Sequence, residues 1–300
     1  MIKSKKGKYD KQTARLGILF ALPYYTLFLV FTIVPVIVSL VIGFTDFNML
    51  EVPKFVFFDN YIRMFLEDNI FRKAITNTLL LALITGPGGY LLSLLAAWFI
   101  NELRPTMRAI LTLVFYAPSL SGGATFIWGL VFSGDSYGYL NGFLYKLNII
   151  SKPIVWLKTP QYIIPIICLV SLWGSFGTGF LTFVAGFQGV DRSYYEAAAV
   201  DGIKNRWQEL WFITLPMMRP QMMFSAVMSI TAAFGIGDLI TGMMGYPTVN
   251  YTAQTIMTHI ADYGGTRYEL GYASAIATFL FVLMLGSNLI IQKLIGKVGE

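Results

Sequence analysis

The stretch SYYEAAAVDGIKNRWQELWFITLP, residues 193–216, is charged although the chain on both sides of it is strongly apolar. Charged side chains are costly inside a bilayer, so this stretch must reach water. The flanking stretches, roughly 161–187 and 220–244, are each long enough to cross a membrane as a helix. The sequence therefore predicts a folded segment in water between two membrane spans. Its charged residues are Glu196, Asp201, Lys204, Arg206 and Glu209.

The composition of the 300 residues is that of a membrane protein. Hydrophobic residues make up 56% and charged residues 13%, and the mean hydropathy is +0.63, whereas about a quarter of a typical soluble domain is charged. A hydrocarbon core about 30 Å thick needs about 20 apolar residues in a helix. We therefore predict an all-α integral membrane protein, a bundle of six helices with both termini in the cytoplasm. The predicted spans are residues 16–45, 74–100, 108–132, 161–187, 220–244 and 270–295.

Residue types that carry common enzyme chemistry are scarce. The lone Cys168 excludes an intramolecular disulfide and a cysteine metal cluster. The lone His259 argues against a histidine zinc site and against a Ser-His-Asp triad. The first apolar stretch is about twice as long as a signal-peptide core and lacks a small-residue cleavage site, so we expect it to stay in the protein. We expect no catalytic centre, no metal and no bound cofactor in this chain.

Basic residues predict the orientation, because cytoplasmic segments of membrane proteins carry an excess of Lys and Arg. With both termini inside, the inner segments hold more basic residues than the outer ones. Residues 1–15 are then predicted to form a basic cytoplasmic arm that binds anionic lipid. Residues 16–300 are predicted to form the membrane domain. The net charge of +6 then needs no nucleic-acid partner. Basic residues placed inside are Lys3, Lys5, Lys6, Lys8, Lys11, Arg15, Arg104, Arg108, Arg192, Lys204, Arg206, Arg219, Lys293 and Lys297; those placed outside are Lys54, Arg63, Arg72, Lys73, Lys146, Lys152, Lys158 and Arg267.

The inner connection at about 188–219 has readable helix boundaries. Asp191 or Ser193 can cap a first helix. The Asp-Gly pair at 201–202 ends it, because Gly suits a left-handed turn residue. Asn205 can cap a second helix, which Pro216 is predicted to end.

Both predicted helices are short, and helices of this length are marginal alone in water. Each therefore needs a surface to pack on. Trp207, Leu210 and Trp211 are predicted to face the membrane domain. Ala197 and Ala198 are predicted to form a flat surface that another protein approaches closely. These local signals leave open the alternative that the segment is a folded loop that only caps the bundle.

Two motifs in this stretch resemble a known family. EAAAVDG at 196–202, followed by ITLP at 213–216, is similar to the EAA loop of permease subunits of ATP-binding-cassette importers. The likeness continues in LVSLWGSFGTGFLTFVAGFQGVDRSYYEAA (169–198) and ELGYASAIATFLF (269–281). It covers roughly residues 18–295, and the subgroup it resembles is the maltose and multiple-sugar type. The EAA motif is specific when it lies between two spans on the cytoplasmic side.

The resemblance implies a fold, a role and partners. It implies a type I importer permease, multi-pass in the cell membrane, that translocates a sugar or oligosaccharide. It also implies a second, different permease subunit, two ATPase subunits and an extracytoplasmic solute-binding protein. ATP and Mg would be bound by the ATPase, and no GxxxxGK[ST] phosphate loop occurs in this sequence. In the family the EAA loop inserts into a groove of the ATPase, and the residues carried over to that role are Glu196, Ala197, Ala198, Asp201, Gly202, Leu215 and Pro216.

Within the motif, the resemblance implies that Glu196 offers its carboxylate to a donor on the ATPase and that Gly202 makes the bend between the two helices. Ten residues separate Gly202 from Ile213, one more than in the commonest form of the motif. This difference predicts a rotated second helix or a longer turn.

Spans four and five carry candidate sugar-binding groups, since sugars bind aromatic faces and hydrogen-bonding side chains. The glycines of WGSFGTGF (173–180) either let helices pack closely or widen a path and let a helix bend. GPGG (86–89) in span two is predicted to mark a kink near a gate or a packing notch. Asp238 is either a path residue or an interfacial one. In the family, ligand contacts lie partly in the span after the EAA loop. The predicted path residues are Trp173, Phe176, Thr178, Phe234, Asp238 and Thr241.

Two other classes of protein compete with the importer. A secondary transporter would usually show charged pairs or broken helices at mid-membrane, and Asp238 alone is a poor proton relay. An intramembrane enzyme would need clustered His, Cys or carboxylate side chains in the spans, which the sequence lacks. The importer permease is therefore the leading prediction.

Overall fold

The computed structural model describes residues 3–121 and 123–296, and the apolar stretches form helices. A backbone in lipid must satisfy its own hydrogen bonds, which a helix does within one segment. Four π-helical turns interrupt the series, at Leu29–Ile33, Arg63–Glu67, Leu210–Thr214 and Asp262–Thr266. The α-helices are α1 (Lys3–Phe28), α2 (Val34–Ile42), α3 (Asp59–Ile62), α4 (Asn69–Asn101), α5 (Pro105–Ser121), α6 (Ala124–Val131), α7 (Tyr139–Lys146), α8 (Pro160–Trp173), α9 (Thr178–Gly189), α10 (Arg192–Val200), α11 (Arg206–Glu209), α12 (Leu215–Met217), α13 (Arg219–Phe234), α14 (Gly237–Met244), α15 (Ile256–Ala261) and α16 (Leu270–Ile295).

Six spans can be assigned within the described residues. Four segments are long and apolar enough to cross a membrane, and two bent helix pairs bring the number to six. The prediction of a six-helix bundle is therefore confirmed. Spans three and five, each predicted as one helix, consist of two helices joined at a bend. Span one is Thr13–Ile42, span two Asn69–Asn101, span three α5 and α6 across a bend of 90°, span four Pro160–Gly189, span five α13 and α14 across a bend of 41°, and span six Leu270–Ile295.

The predicted basic arm has no separate helix boundary. α1 begins at Lys3 and passes residue 16 without a break, so the arm continues into span one. Lys297, which was counted among the inner basic residues, lies outside the described residues.

Contacts define the two ends of the bundle. Arg206 pairs with Glu102, so the connection after span four meets the connection after span two. We call this the loop end. The backbone N–H of Gly271 donates to the carbonyl of Phe47 at 2.8 Å, which brings the start of span six to the end of span one. We call this the opposite end.

Spans two, four and five form the centre of the bundle. Span two packs against spans four and five, and span five packs against span six. Span one contacts the bundle chiefly through α2, which packs against α16, and the most apolar part of span one buries no residue in this chain. An apolar surface of this size needs lipid or another apolar protein surface around it.

The segment after span five folds against span two, although the sequence predicted only an outer loop over 245–268. The Asn77 amide donates to the carbonyls of Thr252 and Gln254, each at 2.9 Å. The Thr78 hydroxyl accepts the N–H of Ile256 at 2.9 Å. This segment is therefore fixed to the first turns of span two.

Asp68 is the centre of a buried polar group at this end, which we call the Asp68 cluster. One carboxylate oxygen caps α4 by accepting the N–H of Phe71 at 2.8 Å. The other accepts from His259 Nε2 and from the Tyr272 hydroxyl, each at 2.9 Å. The Gln254 amide lies 3.1 Å from His259 Nδ1, so a neutral imidazole with its proton on Nε2 satisfies both contacts. Burial disfavours the Asp68 carboxylate, but these hydrogen bonds outweigh burial and hold the pKa of Asp68 well below its usual range.

Candidate functional site

The 193–216 segment forms two short helices joined by a turn at the loop end. The Asp191 carboxylate accepts the N–H of Ser193 at 2.9 Å, so Asp191 is the residue that caps α10. This hydrogen bond lowers the pKa of Asp191. Gly202 has φ of +95°, which confirms the predicted turn, since glycine adopts such angles without steric cost. The Asn205 side chain accepts the N–H of Gln208 at 2.9 Å and caps α11, as predicted.

Pro216 does not end the second helix, so that prediction is wrong. After α11 the chain makes the π-helical turn over 210–214 and continues into α12, which contains Pro216. The Leu215 N–H reaches back five residues to the Leu210 carbonyl. A π turn accommodates one residue more than an α turn, and such turns are frequent at functional sites. The π turn lies within the ten-residue interval between Gly202 and Ile213.

The exposure of the predicted contact residues is mixed. Glu196 and Ala197 are exposed, and Glu196 pairs with Arg192 one turn earlier at 3.4 Å. Ala198 is 8% exposed, so the predicted flat surface is wrong for Ala198. Trp211 is 64% exposed, so its predicted packing against the bundle is also wrong. For Ala198 the reason is that neighbouring residues of an α-helix point about 100° apart, so Ala197 and Ala198 do not share a face. Trp211 lies in the π turn over 210–214, where the α-helical spacing that would align it with Trp207 and Leu210 is lost.

Apolar contacts hold the second half of the segment on the bundle. Leu210 and Leu215 are buried in a cluster that includes Trp98 of span two. The Trp207 ring meets Trp98 edge-on, with 4.6 Å between ring centroids. The predicted inward orientation is thus confirmed for Leu210. Trp207 contacts the bundle with one side only, since the residue is 63% exposed.

Polar contacts connect the same region to its surroundings. Arg206 contacts Glu209 at 2.7 Å and Glu102, at the end of span two, at 3.4 Å. The hydrogen bond from Arg206 to Glu209, together with the charge of Glu102, raises the pKa of Arg206. The Tyr195 hydroxyl lies 2.9 Å from the Thr214 hydroxyl, which joins α10 to the π turn.

A cavity of about 400 Å³ lies between spans two, four and five. Span four is interrupted at its wall over 174–177, and span five is interrupted at 235–236. Irregular backbone at membrane depth is tolerated where it is buried in protein or lines a cavity. Among the described residues, the cavity wall has no charged side chain and is rich in small and hydroxyl-bearing residues. Those with a hydroxyl group are Thr85, Ser171, Ser175, Thr178 and Ser229.

Serine hydroxyls satisfy backbone groups beside the break in span four. Ser93 of span two donates to the Ser175 carbonyl at 3.0 Å, and Ser225 of span five donates to the Gly179 carbonyl at 2.9 Å. The backbone at Gly89 approaches the same break, since a Cβ there would lie 2.8 Å from the Ser175 Cβ. The three spans are thus joined at the cavity by polar contacts and close packing.

The aromatic path candidates pack against other side chains and do not line this cavity. Trp173 meets Trp128 edge-on at 5.5 Å, and Phe176 meets Phe115 at 5.0 Å. Phe234 is buried in the apolar cluster between spans two, five and six. Edge-to-face ring pairs are favourable, so Trp173 and Phe176 stabilise the bundle through ring contacts and Phe234 does so through apolar burial.

The polar path candidates occupy different positions. Thr178 lines the cavity. The Thr241 hydroxyl donates to the Gly237 carbonyl at 3.1 Å. Asp238 is exposed in the first turn of α14, beside the cavity residue Leu239. The serines of the cavity wall were not among the residues predicted from the sequence, although the glycines at 174–179 mark the place where they meet.

Comparison with known proteins identifies the class. Residues 89–298 match the family described as binding-protein-dependent transport system inner membrane component. The chain therefore belongs to this family of transport permeases, and it is a multi-pass protein of the cytoplasmic membrane. The family consists of transport components, in agreement with the expectation that this chain is not itself an enzyme.

Individual relatives show which transport proteins within the family this chain resembles. The chain is 30% identical to the probable ABC transporter permease protein YesP of Bacillus subtilis, over 96% of this chain and 93% of the relative. It is 33% identical to the sulfoquinovosyl glycerol transport system permease protein SmoG of Agrobacterium fabrum, over 77% of this chain and 73% of the relative. A bacterial alginate ABC transporter, solved in complex with an alginate pentasaccharide-bound periplasmic protein, contains a chain with TM-score 0.78 and 25% identity, covering 97% of this chain and 98% of that one.

Proposed function

We propose that this chain is a permease subunit of an ATP-binding-cassette importer that carries a carbohydrate across the cytoplasmic membrane. The observation that carries the proposal is the 193–216 segment, a charged helix–turn–helix between spans four and five in a chain with no phosphate-binding loop of its own. Its exposed residues, with Glu196, Ala197, Asp201 and Gly202 among them, are available to a partner. The names of the relatives support a saccharide or saccharide conjugate as the solute.

The proposed partners are a second, different permease subunit, two ATPase subunits that bind ATP and Mg, and an extracytoplasmic solute-binding protein. The structural neighbour supports the solute-binding protein among these partners, because it was solved with a periplasmic protein that holds the saccharide.

The proposed orientation places the loop end and both termini in the cytoplasm. The excess of basic residues at that end supports it, and so does the need of the 193–216 segment to reach a cytoplasmic ATPase. Ala198, Leu215 and Pro216 then act from inside the segment, since the first two are buried and the third lies within a helix. They fix its shape, and the exposed residues make the contact.

The proposed solute path includes the cavity between spans two, four and five. Thr178 lines it, and Asp238 and Thr241 follow the break in span five that forms part of its wall. Hydroxyls and backbone groups suit the hydroxyls of a sugar. Trp173 and Phe176 instead pack against other rings, and Phe234 packs in the apolar cluster described above, so these three residues support the bundle around the cavity.

The test is purification of the tagged chain from its native membrane, followed by reconstitution into vesicles with all copurifying subunits. We expect an ATPase and a second permease to copurify. We expect ATP inside the vesicles, with the solute-binding protein outside, to drive uptake of one member of a panel of radiolabelled neutral and uronate oligosaccharides. A chain that purifies alone and takes up solute when a proton gradient is imposed would instead be a secondary transporter.

A further inference from the structure

We propose that the 193–216 segment passes its movement to span two, to which it is not covalently adjacent, through two contacts: Trp207 with Trp98 and Arg206 with Glu102. This inference rests on the proposed function, because it requires an ATPase that moves the segment. It adds a third driven span to spans four and five, which the segment joins directly.

The contact between Trp207 and Trp98 is suited to passing movement of the segment to span two. Trp98 is 8% exposed and lies in the same buried cluster as Leu94 and Ala97 of its own helix. Trp207 meets it edge-on at 4.6 Å between centroids. Trp98 is itself held in a close-packed interior, and such interiors transmit displacement. A shift of Trp207 toward the bundle therefore displaces Trp98 together with span two.

The ion pair acts at the end of the same helix. Arg206 holds Glu209 within its own helix and reaches Glu102 with its other nitrogen. Exposed pairs of this kind add little stability. Their value here is positional, because Glu209 orients the guanidinium that Glu102 then meets.

Span two is the span best suited to carry the movement to the cavity. It is helical without interruption from Asn69 to Asn101, whereas spans four and five are broken at the cavity wall. Thr85 and Gly89 of span two line the cavity. Spans four and five can bend at their breaks, so span two is the continuous connection between the loop end and the cavity.

The first helix of the segment delivers its movement to this contact through one polar bond. The Tyr195 hydroxyl of α10 meets Thr214 of the π turn, four residues beyond the buried Leu210.

The experiment measures whether the segment and span two move as one body. In a Cys168→Ser complex, nitroxide labels at Leu103→Cys and Lys204→Cys report the distance between the end of span two and the turn of the segment. Pulsed electron spin resonance compares the nucleotide-free complex with the complex trapped by ATP, Mg²⁺ and vanadate. We expect the distance to stay unchanged on trapping in the otherwise wild-type complex and to shift by several ångströms in Trp207→Ala.

Phe99→Ala is the matched control. Phe99 also stacks on Trp98, at 5.2 Å, and is about as exposed as Trp207, but it belongs to span two. We expect Phe99→Ala to behave as the unsubstituted complex and Trp207→Phe to restore the fixed distance. Glu102→Gln is a second variant, for use if Trp207→Ala lowers the yield of complex, because it weakens the contact with Arg206 at an exposed side chain. We expect the distance between the labels to shift less on trapping in Glu102→Gln than in Trp207→Ala.

A distance that changes on trapping in the unsubstituted complex, or that stays fixed in both Trp207→Ala and Glu102→Gln, would overturn the link while leaving the proposed function intact. A complex that contains no ATPase, and so traps no nucleotide, would overturn the proposed function itself and the link with it.

Discussion

At the scale of single residues, the Asp68 carboxylate determines how the opposite end is held together. It caps span two and accepts two further hydrogen bonds from buried side chains on α15 and span six. The stabilisation depends on the ionised form, because a carboxylate only accepts hydrogen bonds. The pKa of Asp68 is therefore lower in the folded protein than in the unfolded chain.

We predict that Asp68→Ala lowers the free energy of unfolding by at least about 2 kcal/mol at neutral pH, since it leaves two buried donors unpaired at about 1–3 kcal/mol each. A lowered folded-state pKa gives stability that is fully present above the unfolded pKa of about 4. That stability is lost as the pH falls below this value, toward the folded pKa. Thermal unfolding in detergent from pH 7 to pH 3 measures this, with Asp59→Ala, at an exposed carboxylate, as the control. A wild-type advantage over Asp68→Ala that persists undiminished at pH 3 would contradict the account.

Asp238 is the second residue with a prediction of its own. It is exposed within a span and beside the cavity wall. We predict that Asp238→Ala reduces uptake in reconstituted vesicles more than it reduces the yield of assembled complex. Asp238→Asn, which keeps the hydrogen-bonding atoms, separates the role of the charge from that of the polar group. Uptake at the wild-type level in an assembled Asp238→Ala complex would make Asp238 an interfacial residue only.

At the scale of elements, the interruptions in spans four and five lie beside an unbroken span two. The glycine positions there are not equivalent. A Cβ at Gly89 would lie 2.8 Å from the Ser175 Cβ, whereas a Cβ at Gly86 would lie 3.6 Å from the Ala233 Cβ, an ordinary contact.

We predict that Gly89→Ala destabilises the bundle by about 1–3 kcal/mol through overpacking. Gly86→Ala, three residues earlier in the same helix, should be neutral or stabilising by about 0.5–1 kcal/mol, because glycine weakens a helix. Melting temperatures of the two purified variants provide the comparison. Equal melting temperatures would show that spans two and four are not in close contact at this level.

The sequence was sufficient for the number of spans and for the caps of α10 and α11, and insufficient for the breaks within spans and for the faces that the helices bury. Apolar length predicts the six spans, and capping side chains predict the ends of α10 and the start of α11, because these signals are local. The π turn that admits Pro216 into a helix depends on hydrogen bonds five residues apart and leaves no local signal. The burial of Ala198 depends on which helices meet in space. So does the composition of the cavity wall, which contains serines and not the predicted aromatic residues.

At the scale of the whole molecule, the account requires a fixed orientation. Spans two, four and five meet at the cavity, and the 193–216 segment lies at one end of all three. That end must face the cytoplasm if an ATPase is to reach it.

We predict that a reporter fused at residue 204 is cytoplasmic and that one fused at residue 150 is extracytoplasmic. An alkaline phosphatase fusion, active only outside, and a fluorescent protein fusion, fluorescent only inside, give opposite readings at each site. An extracytoplasmic residue 204 would contradict the importer proposal as a whole.

The central claim is that the 193–216 segment couples an ATPase to transport, and its turn offers the most direct test. At Gly202 a Cβ meets no atom within 4 Å, but φ is +95°, so substitution strains the backbone by about 1–3 kcal/mol without a clash. Glu196→Lys reverses a charge on the adjacent exposed surface.

The measurement is ATPase activity stimulated by the solute-binding protein, recorded together with uptake and with the amount of ATPase retained by the purified complex. The account predicts that Gly202→Val and Glu196→Lys lower all three, while Gly202→Asn, a residue that tolerates left-handed angles better, retains most of each. Wild-type stimulation, uptake and ATPase retention in both Gly202→Val and Glu196→Lys would contradict the account and make the segment a cap on the bundle.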